Sequence, residues 1–244
     1  MSWCGDKPDP KGIALFQGGF GLANLETNSP VTKASVFRIG SLTKQFTAAA
    51  VLRLCSEERL KLDDPVGRYL PFFAHLSPVT LRELLQHTGG LHSNDESEPS
   101  VTSIGEKTQL QLAQEITTQS KVFDFAPGTA WLYSNANYIV LGAVVEVLGA
   151  VVEQISKKSL RRAAEELLFD PLSLSATSFD GSADVVLGRV SGYSPQAASK
   201  PPYIHAPYIP ISEAGGAGAM RSTVGDLCHW HHALLSAQLF PFKL

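Results

Sequence analysis

Cysteine is nearly absent from this 244-residue sequence: Cys4, Cys55 and Cys228 are odd in number and far apart. They suggest neither a disulfide framework nor the ligand spacing of a zinc site. No apolar run approaches the roughly 20 residues that span a bilayer, and the opening MSWCGDKPDPKG lacks the apolar stretch of a secretory signal. An excess of charge is missing too. A net charge of −3 and a pI near 6.2 give no electrostatic footing for nucleic acid or an anionic membrane. With 44% hydrophobic and 18% charged residues, no biased tract keeps the chain from folding. These absences predict a soluble, cytoplasmic protein with length enough for a substantial core, and no nucleic-acid or membrane partner.

What is present reads mainly as helix. Residues 13 to 25 mix apolar residues and Gly like a strand or hairpin arm. A helix is expected from Ser41 to about Leu60, and its stretch FTAAAVLRLC is apolar almost all round, the mark of a buried helix. Thr80 and Glu83 form a capping-box pair for a short helix from Leu81 to His87, with Gly89 and Gly90 as its stop. Residues 91 to 108 read as loop, and a helix follows near 108 to 120. After the Pro127-Gly128 turn comes a long apolar helix in which LGAVVE occurs at 141 to 146 and again at 148 to 153. That seven-residue offset extends a helix by about 10 Å and nearly preserves its buried face. An amphipathic helix is expected over 158 to 168, Gly- and Pro-rich loops with one short strand over 180 to 219, and a last helix opened by Thr223 and Asp226.

Two short motifs could carry chemistry. In SLTK, Ser41 and Lys44 are three apart and share a helix face. A serine hydroxyl is a poor nucleophile until a base takes its proton. A lysine becomes such a base when an apolar surrounding favours its neutral form. The Ser41 N–H, at a helix N-terminus, suits an oxyanion. On this motif alone the plainer reading is that Ser41 is a helix cap and Lys44 a solvent-facing side chain. In YSN, Tyr133 can exchange a proton with a neighbouring lysine, and Asn135 can orient a substrate amide. Here the plainer reading is a helix start, with Ser134 or Asn135 as cap and Tyr133 as packing.

Other features carry less. Cys228 and His232 are four apart in CHWHH, a spacing that suits a metal, but no further ligand set stands out. GGAGAM lacks the lysine of a phosphate loop. Glu165 and Glu166 read as the solvated face of a helix. Neither metal nor cofactor is expected.

VFRIGSLTKQFTAAAVLRL, LKLDDPVGRYLP, TLRELLQHTGGL, FAPGTAWLYSNANYIVLG, LFDPLSLSATSF and GGAGAMRSTVGDL follow one another in this order. The series resembles the serine β-lactamase-like family, which includes class C β-lactamases, penicillin-binding DD-peptidases and related esterases. The resemblance covers roughly residues 13 to 240. It implies an α+β fold in which a helical lobe, residues 66 to 219, lies beside an antiparallel sheet flanked by helices, built from 1 to 65 and 220 to 244. It also implies that Ser41 is the acylated nucleophile, Lys44 its proton partner, Tyr133 an acid/base and Asn135 the group that orients a small-molecule or peptide-like substrate. The family's third element, a K-T-G or H-x-G strand, has no counterpart after Asp226, and the H-T-G at His87 to Gly89 stands in the wrong place for it. The expectation is a serine hydrolase of an amide, lactam or ester with an incomplete sheet whose unpaired edges favour self-association. The alternative is a truncated member that binds without turnover.

Overall fold

In a computed structural model, residues 16–93, 107–149, 159–197, 200–236 and 239 are described. The most apolar segment of the sequence takes the centre. Helix α4 (Asn135–Gly149) carries Val140, Leu141, Ala143, Val144 and Val145, each 0% exposed, among the other helices. Its second LGAVVE copy falls largely outside the described residues. Against α4 pack α1 (Thr43–Ser56), α2 (Leu81–Leu85), α3 (Gln109–Thr117), α5 (Leu160–Ala164) and α6 (Ile211–Gly218). Beside these helices lies a three-stranded antiparallel sheet in the order β3 (Phe37–Arg38), β7 (Met220–Ser222), β4 (Ser178–Phe179). The pairs Phe37–Ser222 and Ser178–Arg221 set its register. Helix α7 (Val224–Leu235) follows β7 directly, capped by Thr223, whose hydroxyl accepts from the Asp226 N–H. The mixture of helix and antiparallel sheet is the fold class that the sequence implies.

Two hairpins lie apart from this sheet: β1 (Leu22–Asn24) with β2 (Ser29–Pro30), and β5 (Tyr193–Pro195) with β6 (Tyr203–His205). Glu26 joins them by accepting from Tyr193 and pairing with His205. A buried ion network joins sheet to helix. The Asp180 side chain is 0% exposed and takes Arg38 of β3, Arg221 of β7 and Arg189. Asp184 takes Arg221 and, from α5, Arg161.

The ends of the helices show where short-range signals act. The expected capping box forms in full at α2, with Thr80 and Glu83 each satisfying the other's backbone N–H. A second box, Thr108 with Gln111, starts α3. Helix α1 stops at Ser56, short of Leu60, because Glu58 enters the left-handed region (φ 56°) and Arg59 N–H turns back to Leu54 O. Helix α2 likewise ends before its glycines. His87 takes the left-handed position (φ 59°), its N–H bonding Leu84 O and that of Thr88 bonding Glu83 O. Helix α5 continues into a π-helical turn over Glu165–Phe169.

The span from 180 to 219 departs from its reading as loops with one strand. It holds the β5–β6 hairpin and all of α6. Its glycines serve packing. A Cβ on Gly216 would come within 2.5 Å of Tyr138 O on α4, so only glycine lets the two backbones approach so closely.

Candidate active site

Three segments meet at the end of the sheet. β3 leads into a 3-10 turn, Gly40–Leu42, which carries Ser41 immediately ahead of α1. Gly40 makes the turn possible with φ at 51°. Lys44, in the first turn of α1, points inward and is 7% exposed, whereas Ser41 is exposed. The residues just before α4 bring Tyr133 across to them, and α6 closes the far side. Ser41 Oγ and Tyr133 Oη are 2.8 Å apart, and Lys44 Nζ donates to Ser41 Oγ at 3.2 Å. Lys44 Nζ also donates to Asn135 Oδ1 at 2.7 Å and to Ala217 O at 2.8 Å. Three acceptors thus converge on a group that has three N–H donors as an ammonium. The same nitrogen lies 4.7 Å from the centre of the Tyr133 ring. Ser41, Lys44, Tyr133 and Asn135, which the sequence spreads over 95 positions, are therefore one cluster. Lys44 does not face solvent, and Ser134 Oγ, buried and without a hydrogen-bond partner among the described residues, does not cap α4.

The remaining candidates stand elsewhere. Glu165 and Glu166 both pair with Arg162. Cys228 and His232 lie on α7, and no group of three or more His, Cys, Asp or Glu suited to a metal occurs among the described residues. No helix among the described residues is long and apolar enough to cross a membrane.

Several contributors were invisible in the sequence. Ala217 acts through its carbonyl, and Thr47 supports that segment by donating to Gly216 O at 2.7 Å. Gln109 of α3 braces it from the other side, accepting from the Gly216 N–H at 2.9 Å. GGAGAM, set aside as a phosphate loop for want of a lysine, thus runs from the end of α6, where the Ala217 carbonyl anchors Lys44, into β7. Its one available signal was the glycine spacing, which also marks close helix packing. Behind Tyr133 sits His87. Its ring centre is 4.6 Å from that of Tyr133 and 5.1 Å from that of Tyr138. Burial first, and the Lys44 charge second, hold its pKa below the usual histidine value.

A family model described as Beta-lactamase matches residues 11–241. The chain belongs to the β-lactamase family. Penicillin-binding protein PbpX of Bacillus subtilis is 30% identical over 237 residues, which are 95% of this chain and 54% of that protein. The D-amino acid amidase of Ochrobactrum anthropi, solved with L-phenylalanine amide, has a TM-score of 0.76 at 26% identity and covers 91% of this chain and 62% of its own. A D-stereospecific amidohydrolase from Streptomyces has a TM-score of 0.69 at 30% identity, covering 85% of this chain and 63% of that one. This β-lactamase-family chain spans from about two fifths to two thirds of the length of the relatives it matches.

Proposed function

We propose that this member of the β-lactamase-like serine hydrolases works through an acyl-enzyme on Ser41, with an amide, lactam or ester as acyl donor. The observation that carries the reading is that Ser41 Oγ lies within hydrogen-bond reach of two proton-transfer groups at once, Tyr133 Oη and Lys44 Nζ. The two neighbours named as an amidase and an amidohydrolase favour an amide among the donors.

The contacts support the following course for the proposed reaction. When Lys44 carries the proton of the pair and donates to Ser41 Oγ, the Tyr133 oxygen is a phenolate that can only accept, so the serine's own hydrogen is directed toward it. As Oγ attacks the substrate carbonyl carbon, that proton passes to the Tyr133–Lys44 pair in its singly deprotonated form. The oxyanion develops at the N-terminal end of α1, where backbone N–H groups and the helix dipole favour negative charge. Collapse of the adduct breaks the bond to the leaving nitrogen or oxygen, which receives the proton back from the pair. Water then adds to the Ser41 ester while the pair takes its proton, and Ser41 departs with that proton restored. Asn135, bound to Lys44 through Oδ1, orients the substrate amide beside the pair.

Incubation with a fluorophosphonate and with a fluorescent penicillin, read by intact mass and peptide mapping, tests this. The expected adduct is one per chain, on Ser41, and none on Ser41→Ala. An adduct on another residue, or equal labelling of that variant, removes Ser41 from the mechanism.

A further inference from the structure

His87 ends α2, stands outside the Ser41–Lys44–Tyr133–Asn135 cluster, and is held by more contacts than a helix end requires. Its carbonyl accepts from the Leu132 N–H at 3.1 Å, tying it to the segment that leads into Tyr133. Its Nδ1 lies 3.2 Å from the Ser134 N and 3.3 Å from Asn137 Nδ2. A backbone N–H can only donate, so Nδ1 must present a lone pair, and the hydrogen of the neutral ring is on Nε2. The imidazole face packs on the Tyr133 ring on one side, and Trp131 and Tyr138 also meet it, at 6.3 and 5.1 Å between ring centres. Residues on both sides of Tyr133 are therefore fastened to one residue: Leu132 to the His87 backbone carbonyl and Ser134 to its ring.

We propose that His87 is a positioning residue for Tyr133, and that its unprotonated Nδ1 holds the phenol opposite Ser41. The proposal rests on the reading of Ser41 and Tyr133 as the reacting pair. The charged and titratable groups around the imidazole are Lys44 of α1, Tyr133 ahead of α4, and Tyr138 of α4, whose hydroxyl donates to Leu85 O at 3.1 Å. Burial and then Tyr133 raise the Tyr138 phenol, so it stays protonated. Lys44 is the cation in this set. Protonating His87 replaces an acceptor for Ser134 N–H with a second donor aimed at it, and sets a positive charge near Lys44. Both changes release Tyr133 from its place. Because the folded-state pKa lies below 6.5, this occurs on the acid side of neutrality.

Two substitutions separate positioning from support of the helix end. Gly accepts the left-handed backbone without strain, so His87→Gly keeps the cap and removes the ring. Asn also tolerates positive φ, and its Oδ1 takes the place of Nδ1 as an acceptor that does not titrate in this range, so His87→Asn restores the hold on Ser134. The rate of fluorophosphonate labelling at Ser41 is followed from pH 4.5 to 8.5 under conditions where circular dichroism shows every protein folded. In the wild type, an inflection should coincide with the His87 titration seen by NMR. His87→Gly should label at least tenfold more slowly at pH 8, and His87→Asn should recover most of that rate while losing the inflection. Equal rates for all three proteins at pH 8, or the same inflection in His87→Asn, overturn the proposal. If the wild type is not labelled at Ser41, the reading of the site fails. His87 is then judged by its ring nitrogen shifts, where an Nδ1–H tautomer or titration at the ordinary value sinks the positioning role as well.

Discussion

Lys44 shows how much one side chain organises. Its four-carbon stem runs through the interior, and its nitrogen joins α1 to Asn135, to the end of α6 and to Ser41. Lys44→Met retains an unbranched side chain of similar length and removes the donors together with their charge. Two acceptors, Asn135 Oδ1 and Ala217 O, then lose their partner, at a cost of about 1–3 kcal/mol each if buried without replacement. The expected result is a native circular dichroism spectrum, a lowered urea midpoint and labelling slowed by about 10²–10⁴-fold. Wild-type labelling by this variant would contradict the assignment of Lys44. Thr47 belongs to the same support one turn further along α1. Thr47→Val should weaken the fold by about 1 kcal/mol through loss of the bond to Gly216 O, and slow labelling far less than Lys44→Met does.

At the scale of elements, the helix starts were legible and the helix ends less so. Thr80 with Glu83, and Thr223 with Asp226, are local pairs that satisfy backbone N–H groups within one turn, and both form. The stop of α2 lies ahead of the glycines: Gly90 does take a positive φ of 73°, but His87 takes one first, at 59°, and ends the helix there. Helix α6 was missed as well. GGAG has low intrinsic helix preference, α6 is kinked at Gly215 (φ 42°, ψ −135°), and only the contacts of Gly216 with α4 and Gln109 reveal its use. The members of the cluster that act through side chains stood in recognisable motifs, whereas the Ala217 carbonyl has no residue-type signature at all. Gly216→Ala probes this contact directly. The added methyl would meet Tyr138 O, so α6 must shift, at a cost of about 1–3 kcal/mol. Since Ala217 O moves with it, labelling should slow even where the urea curve shows the variant folded. A variant of unchanged stability and unchanged rate would show that α6 does not fix Lys44.

Across the whole molecule, the sheet and helices are coupled by charge as well as by apolar packing. Burial alone would raise the Asp184 carboxyl, but Arg161, Arg221 and the Gly181 N–H outweigh it and hold the pKa at about 2. A depressed carboxylate contributes stability that is present above the ordinary value of 3.8 and lost as pH falls toward the folded value. Asp184→Asn should therefore lower stability by on the order of 2 kcal/mol at pH 7. Urea titrations of the two proteins should converge between pH 4 and pH 2, and a constant gap across that range would exclude the mechanism. The bond from Lys44 to Ala217 has a different consequence, one of timing. Its two ends are 173 residues apart, and β3, the strand that leads into the Ser41 turn, finds its partner β7 only at Met220–Ser222. Translation delivers the serine early and the carbonyl that anchors its lysine late. A chain still being synthesised thus exposes a serine with no organised neighbours, and on the proposed reading Ser41 should become reactive only after residues 211 to 222 have left the ribosome. Chains stopped at Ile209 should remain unlabelled, which makes the covalent probe a clock for completion of the fold.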